Sequence, residues 1–525
     1  MKKLPIGLQV FKEYIEQDYL YVDKTEWVWK LVSQGKYYFF ARPRRFGKSL
    51  LISTLKSYFE GREDLFRGLY IHQKEQKWIK YPIIRINFAS ISYRSGKEDF
   101  RNSILFTLNY IAKDYGLELV KNSVTNSFSD LVKQLFTKFG PVVILVDEYD
   151  KALVDKLEDG KGYEENRAIL NELYGNLKGL DEYIRFVFLT GVSRFAKVGI
   201  FSGLNNLQDI SMDNKFSSMV GFTQNEVEQY FAPYLPAIQE EYQLPLADVL
   251  STLKEWYNGY SWDSKTTHYN PFSIINFFQQ KVIRNYWFAT GTPTFLINLI
   301  KKQKALPENF DNLVVNDLIG SSIKFRALPL YPILFQTGYL TITKIIPQGM
   351  MGQVYELNYP NREVKQAFHT ALLSGFTHRD EFLVQAGYLH LRTALETENA
   401  IDFIKQLKGL FANIPSRLHT NREAYYQSSI YLILSLIGVK MFLEKATNKG
   451  IIDGVIEYDD KVYIFEFKYA ANKRIKKVTT LVNKALQQIK DRKYYEAYLG
   501  KHKKIILFGI GFLDRQIDGR MEVLD

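Results

Sequence analysis

Apolar and polar positions follow three different patterns along this chain. Between Tyr37 and about Thr190, four short runs are apolar at nearly every position: residues 37–41 (YYFFA), 82–89 (PIIRINFA), 141–150 (PVVILVDEYD) and 184–191 (IRFVFLTG). Stretches with helical spacing of apolar residues lie between them, Phe100 to Asp114 among them. A strand buried on both faces reads as a continuous β-branched and aromatic run, and intervening helices act as crossovers. This part therefore predicts a parallel sheet covered by helices, an α/β nucleotide-binding layout. Residues 221–231 (GFTQNEVEQYF) then open a helix with a Thr223 to Glu226 capping box.

From about 236 to 385 the alternation fades and aromatics multiply. Residues 256–272 (WYNGYSWDSKTTHYNPF) combine turn formers with aromatics and predict a long structured loop. The run ALPLYPILFQTGYLTITKII, followed by QVYELNYPN, reads as a helix and then a β-hairpin, the layout of a winged helix. Such units bind nucleic acid in some proteins and connect domains in others. From about 386 the expected order is helix (Arg422 to Glu444), strands (Ile451 to Tyr458 and Val462 to Tyr469), helix (Lys477 to Lys490) and strand (Lys504 to Phe512). Three regions follow, 1–235, 236–385 and 386–525, with no low-complexity linker between them.

Composition narrows the function classes. At 525 residues the chain exceeds one ordinary core. It has no cysteine, which excludes disulfides, thiolate zinc sites and a cysteine nucleophile. Lys12, Glu13 and Glu16 interrupt any signal-like apolar core at the N-terminus. The longest apolar run, Ile430 to Val439, is about half of the ~20 residues needed to cross a bilayer and reads as a buried helix. A cytoplasmic chain without membrane contact is the expectation. The net charge of +12 is concentrated: between Lys468 and Lys504 stand twelve Lys or Arg against Asp491 and Glu496. Such density predicts a nucleic-acid partner, against the alternative of a solvated helix face.

Two constellations carry chemistry. RPRRFGKS, Arg42 to Ser49, closes with the Gly47-Lys48-Ser49 of a phosphate-binding loop, between a strand and the helix KSLLISTLKSYF. Backbone N–H groups of such a loop and the helix N-terminus face the phosphates, with Lys48 on the β and γ phosphates and Ser49 on Mg²⁺. Arg42-Pro43 replaces the opening glycine by a stiff turn, and Arg42, Arg44 and Arg45 add cations beside Phe46. The strand VVILVDEYD ends in Asp147-Glu148, an aspartate suited to Mg²⁺ and a glutamate suited to polarising water. Ser193 and Arg194 follow the next strand, at the sheet edge where ligands bind, with Ser193 suited to sensing the γ phosphate.

The second constellation lies in GIIDGVIEYDDKVYIFEFKYA. Asp453 is on one strand, Glu466 and Lys468 on the next, where alternation sets the last two on one face. Both interrupt an apolar run, and buried charge calls for a partner or a metal. Asp453 and Glu466 suit Mg²⁺ or Mn²⁺, and Lys468 suits orienting a nucleophile in phosphodiester cleavage.

Six stretches carry a resemblance: YVDKT (21–25), RPRRFGKSLL (42–51), LVDEYDKAL (145–153), LTGVSRFAKVGIFSGLNNLQDIS (189–211), WYNGYSW (256–262) and YNPFSIINFF (269–278). The chain resembles bacterial AAA-ATPase-like proteins with a C-terminal PD-(D/E)XK nuclease-like domain. The resemblance implies ATP binding, an arginine-rich loop, and two further site residues: Glu423 at a helix start and Gln488 in ALQQIKDRKYY. One departure stands out: Gly450-Ile451-Ile452-Asp453 replaces the Gly-Arg-x-Asp frequent in the family. The expected function is an ATP-dependent or ATP-regulated metal-dependent nuclease on DNA or RNA. Its alternative is an ATP-driven switch that binds nucleic acid without efficient cleavage. A ring-forming remodelling ATPase is the third reading, and assembly of like copies is compatible with all three.

Overall fold

In the computed structural model, each apolar run of the first region becomes a buried strand. The structure describes residues 1–120, 123–194, 206–287, 294–303, 310, 312–316, 328–349, 352–377, 380–411, 430–436, 440–447, 450–458, 460–470, 477–499, 503–513 and 516–524. Two compact units result: Met1–Thr290 with Asn312–Val364, and Gly291–Asp311 with Lys365–Asp525.

The first unit holds a five-stranded sheet of β1 (Tyr37–Ala41), β2 (Ile83–Asn87), β3 (Val142–Asp147), β4 (Ile184–Gly191) and β5 (Gln208–Asp209). Its order is β2-β3-β4-β1-β5, and every pair is parallel. β1 and β3 are buried at every position, as continuous apolar strands between helical layers must be. The order places β4 between the strand that leads into the phosphate loop and the strand that ends in Asp147. All three therefore deliver their C-terminal ends to one edge of the sheet. The predicted helices are present at Lys48–Phe59 and Lys97–Asp114, and Thr223 and Glu226 form the capping box.

The helix and hairpin predicted in the middle of the chain are also present. The helix Leu330–Thr337 precedes β7 (Thr341–Pro347) and β8 (Gln353–Asn358), and β6 (Leu313–Asn316) completes an antiparallel sheet of order β6-β8-β7.

The second unit is a mixed sheet of β9 (Lys440–Thr447), β10 (Gly450–Tyr458), β11 (Lys461–Ala470), β12 (Lys504–Leu513) and β13 (Gln516–Val523), in the order β13-β12-β11-β10-β9. β11 and β12 are parallel, and the other pairs are antiparallel. Phe465 and Phe508 meet Phe403 of the helix Ala400–Phe411 on one face. Val462, Ile464, Ile505 and Leu507 share a core with Val482, Leu486 and Ile489 of the helix Val478–Arg492. The helix predicted from Arg422 to Glu444 ends sooner than expected. Residues 430–436 are helical, but Lys440 to Glu444 belong to β9, where pairing with β10 overrides local helix preference.

Candidate nucleotide and metal sites

Gly47 has φ +93, a left-handed conformation that favours glycine, and immediately caps the helix Lys48–Phe59. Arg45 also has a positive φ, +67, and so does Glu148, at +54 just past β3. Non-glycine residues in this region cost of order 1 kcal/mol each and persist only where the surroundings hold them.

A cavity of about 480 Å³ opens at this edge of the sheet. Its polar lining includes Arg44, Arg45, Lys48, Ser49 and Glu148, and its apolar lining includes Pro5, Leu8, Tyr21, Val22, Met219 and Phe222. The volume falls in the range of small-ligand sites, and a lining of both polar and apolar residues suits a ligand with a charged part and an apolar part. The residues from 5 to 24 and from 219 to 222 were not singled out by spacing, because they build a wall only once distant segments meet.

Lys48 is buried, and its Nζ donates to the carbonyls of Arg42 and Pro43, each at 2.8 Å. Burial pushes its pKa down to about 8, against the opposing pull of Asp147, Glu148 and Asp150. Asp147 is 1% exposed; its Oδ1 accepts from the Thr190 hydroxyl at 2.7 Å, and its Oδ2 is buried with no protein partner. An orphaned, buried carboxylate oxygen that interacts with the Lys48 charge fits a divalent cation. Burial also raises the pKa of Glu148.

The other predicted residues are placed differently around the loop. Ser193 is buried, and its hydroxyl and N–H both donate to Asp150 Oδ2 at 2.8 Å. Arg194 pairs with Asp209 at 3.0 Å. Arg42, 1% exposed, stacks on Phe40 and Trp262 at 4.5 and 3.9 Å and donates to Ser211 O. With Pro43 it lines a separate cavity of about 20 Å³, enough for one water. Phe46 is buried edge-on against Tyr260 and Trp262. Arg45 donates to Tyr286 O at 2.9 Å and lies over Phe272 at 3.8 Å. Thr190 and Asp150 are the polar residues missed by spacing. Their signal was a polar position at the end of each of two neighbouring apolar strands.

The second unit gathers four of its predicted residues. Glu466, 1% exposed, accepts from Lys468 Nζ at 2.7 Å and from Gln488 Nε2, both at Oε1, while Oε2 is buried without a partner. Burial, reinforced by Asp453, pushes the Glu466 pKa up to about 7; Lys468 and Gln488 oppose the shift. Asp453 Oδ2 accepts from Phe467 N at 2.8 Å.

Gly509 and Gly511 explain how Gln488 arrives there. They stand opposite Glu466 and Lys468 in the β11–β12 register. A Cβ at either would lie 2.7 or 2.8 Å from Leu486 or Leu481, so the bare backbone lets the helix Val478–Arg492 come close. Beside the site, Lys468, Lys484, Gln487, Gln488 and Arg492 line an open groove of about 810 Å³. Glu423 and residues 471–476 and 500–502 of the basic segment lie outside the described residues. Among the described residues, no three His, Cys, Asp or Glu side chains form a metal cage, and no helix is long and apolar enough to cross a membrane.

Comparison with known proteins agrees with both halves of this geometry. A family model described as predicted AAA-ATPase matches residues 5–201, and one described as PD-(D/E)XK nuclease superfamily matches residues 421–518. A protein of Azotobacter chroococcum mcd 1, "Uncharacterized protein in vnfD 5'region", is 36% identical over 520 residues, covering 97% of this chain and 96% of its own. The chain belongs to the bacterial AAA-ATPase-like family with a C-terminal PD-(D/E)XK nuclease domain. Family membership accounts for the parallel P-loop sheet, the mostly helical middle and the α/β C-terminal domain. A solved structure of the Aeropyrum pernix ORC1 protein in complex with DNA is also similar over 66% of this chain and 90% of its own. With 10% identity and a TM-score of 0.26, that likeness is too loose to bear on fold or function.

Proposed function

We propose that this chain binds and hydrolyses ATP in its first unit and that nucleotide state governs a metal-dependent nuclease activity in its second. The observation that carries the nuclease reading is the meeting of Asp453, Glu466, Lys468 and Gln488 around one buried carboxylate with an unpartnered oxygen.

Asp453 and Glu466 would hold Mg²⁺ or Mn²⁺, which when bound supplies an activated water and polarises the scissile phosphate. Lys468 holds Glu466 in place and offers a cation to charge developing on the phosphate. Gln488 fixes the same oxygen from the helix side, leaving Oε2 as the free ligand atom. Lys484 and Arg492 in the adjacent groove suit contacts to a phosphate backbone, which sets position rather than sequence.

At the other site, Ser49 and Asp147 would hold the Mg²⁺ of ATP, which screens phosphate charge when bound. Lys48 binds phosphate by exchanging the carbonyls of Arg42 and Pro43 for phosphate oxygens. Glu148 is positioned at the cavity wall to orient the attacking water. In this reading the protein works in the cytoplasm.

The test is incubation of the purified chain with plasmid and oligonucleotides of DNA and RNA, with and without Mg²⁺ and ATP. Metal-dependent cleavage that Lys468→Ala abolishes is expected. Cleavage of equal rate in the variant would overturn the nuclease reading. Glu148→Gln is expected to retain ATP and lose phosphate release.

A second reading rests on Ile451 in place of the family's frequent Arg: an ATP-driven switch that binds nucleic acid without efficient cleavage. Retention of a DNA fragment in EDTA, with no cleavage in Mg²⁺ or Mn²⁺, would select it.

A further inference from the structure

The phosphate loop is held from outside itself. Gly338 touches Pro43, Gly221 N donates to Phe46 O, and Asn270 Nδ2 and Trp287 Nε1 both donate to Arg44 O. The tightest of these braces is the turn at Tyr286–Trp287. Arg45 donates to the carbonyl of Tyr286 at 2.9 Å. From the opposite side, Glu363 Oε1 accepts the N–H groups of Tyr286 and Trp287 at 2.6 and 2.8 Å, and Oε2 accepts from Ser273 at 2.8 Å.

Glu363 is fully buried. A buried carboxylate survives only when well satisfied, and here three donors and the nearby Arg45 supply that compensation. One short stretch of backbone thus lies between a carboxylate that takes its N–H groups and a guanidinium that takes its carbonyl. The first unit ends at Thr290, shortly after Trp287, and again at Val364, which follows Glu363.

We infer that Glu363 is a positioning residue of the nucleotide site, acting through the Tyr286–Trp287 turn on Arg45, so that occupancy of the phosphate loop and the order of that turn are coupled. The inference rests on the ATP-binding reading and specifies how that site is regulated. Linkage is reciprocal: if nucleotide tightens the turn, holding the turn tightens nucleotide. No direct contact between Glu363 and nucleotide is required.

The test uses the full chain, a non-hydrolysable ATP analogue with Mg²⁺, and hydrogen exchange read by mass spectrometry. In the wild type, the analogue is expected to slow exchange in the peptide holding Tyr286 and Trp287 as well as in the loop at Gly47 to Ser49. Glu363→Ala is expected to lose protection at the turn and to bind the analogue about tenfold more weakly, within the usual range of coupling between sites. Glu363→Gln keeps an acceptor oxygen and is expected to restore both. Should Glu363→Ala be unfolded by circular dichroism, Arg45→Lys takes its place, expected to lose protection at the turn while the loop still responds. Loop protection without turn protection in the wild type would overturn the inference alone, as would a folded variant that transmits like the wild type. A loop that does not respond at all would overturn the ATP-binding reading and the inference with it.

Discussion

Arg42 sits in the phosphate-loop motif yet faces away from the nucleotide cavity, its guanidinium stacked between Phe40 and Trp262 and hydrogen-bonded to Ser211 O. Arg44, two residues on, is exposed at the cavity wall. These two arginines therefore divide into one that packs into the fold and one that lines the cavity. Arg42→Ala should cost about 2–4 kcal/mol of stability through lost packing and hydrogen bonds. Arg44→Ala should leave stability within about 0.5 kcal/mol, as exposed substitutions do, and weaken ATP binding. Thermal melts with parallel nucleotide titrations separate the two effects. Glu363 makes a further residue-scale prediction, because burial raises its pKa from 4.5 to about 7. Between those values the folded chain keeps a proton that the unfolded chain releases, so this group makes stability fall as pH rises through that window. Denaturant midpoints from pH 4.5 to 8 should show the decline, and Glu363→Gln should flatten it.

Elements of the first unit were legible in the sequence because their physics is local. β1, β3 and β4 are buried at nearly every position, so apolar residues dominate them, and the runs stand out without any knowledge of partners. The second unit was read less completely at its edges. β13 spans QIDGRMEV and is buried at one position among exposed and half-exposed ones, so it lacks a sustained apolar pattern. β9 follows an apolar helical stretch with Gly438 as the single breaker between them, and its pairing with β10 makes it a strand. Both are the edge strands of their sheet, where one side has no ladder to enforce a pattern. The central elements allow a sharper prediction. Gly509→Ala or Gly511→Ala would press the helix Val478–Arg492 off β12, costing about 1–3 kcal/mol by overpacking. Cleavage should fall further than stability, because displacement of that helix carries Gln488 away from Glu466. Urea midpoints and cleavage rates on the same variants test this.

At the scale of the molecule, the candidate chemistry was more legible than its support. Asp453, Glu466 and Lys468 could be read from alternation along paired strands, and Gln488 from resemblance. The neighbours of RPRRF could not, since Gly221, Tyr260, Trp262, Phe272, Trp287 and Gly338 approach the loop only through the tertiary fold. Each candidate site nonetheless ends in the same device: a buried carboxylate with one oxygen secured by the protein, Asp147 by Thr190 and Glu466 by Lys468 and Gln488, and the other without a protein partner. Such an oxygen carries desolvation energy of about 1–3 kcal/mol or more that the fold leaves unrelieved. In thermodynamic terms, the proposed Mg²⁺ sites at these two oxygens would link the stability of the fold, as well as its activity, to free Mg²⁺. Mg²⁺ in hundredfold excess over its dissociation constant would add about 2.7 kcal/mol per site. The melting temperature should therefore rise from EDTA to Mg²⁺. Glu466→Gln should melt higher than the wild type in EDTA and gain less from Mg²⁺, so that a substitution expected to disarm the proposed nuclease site also makes the cation-free protein sturdier.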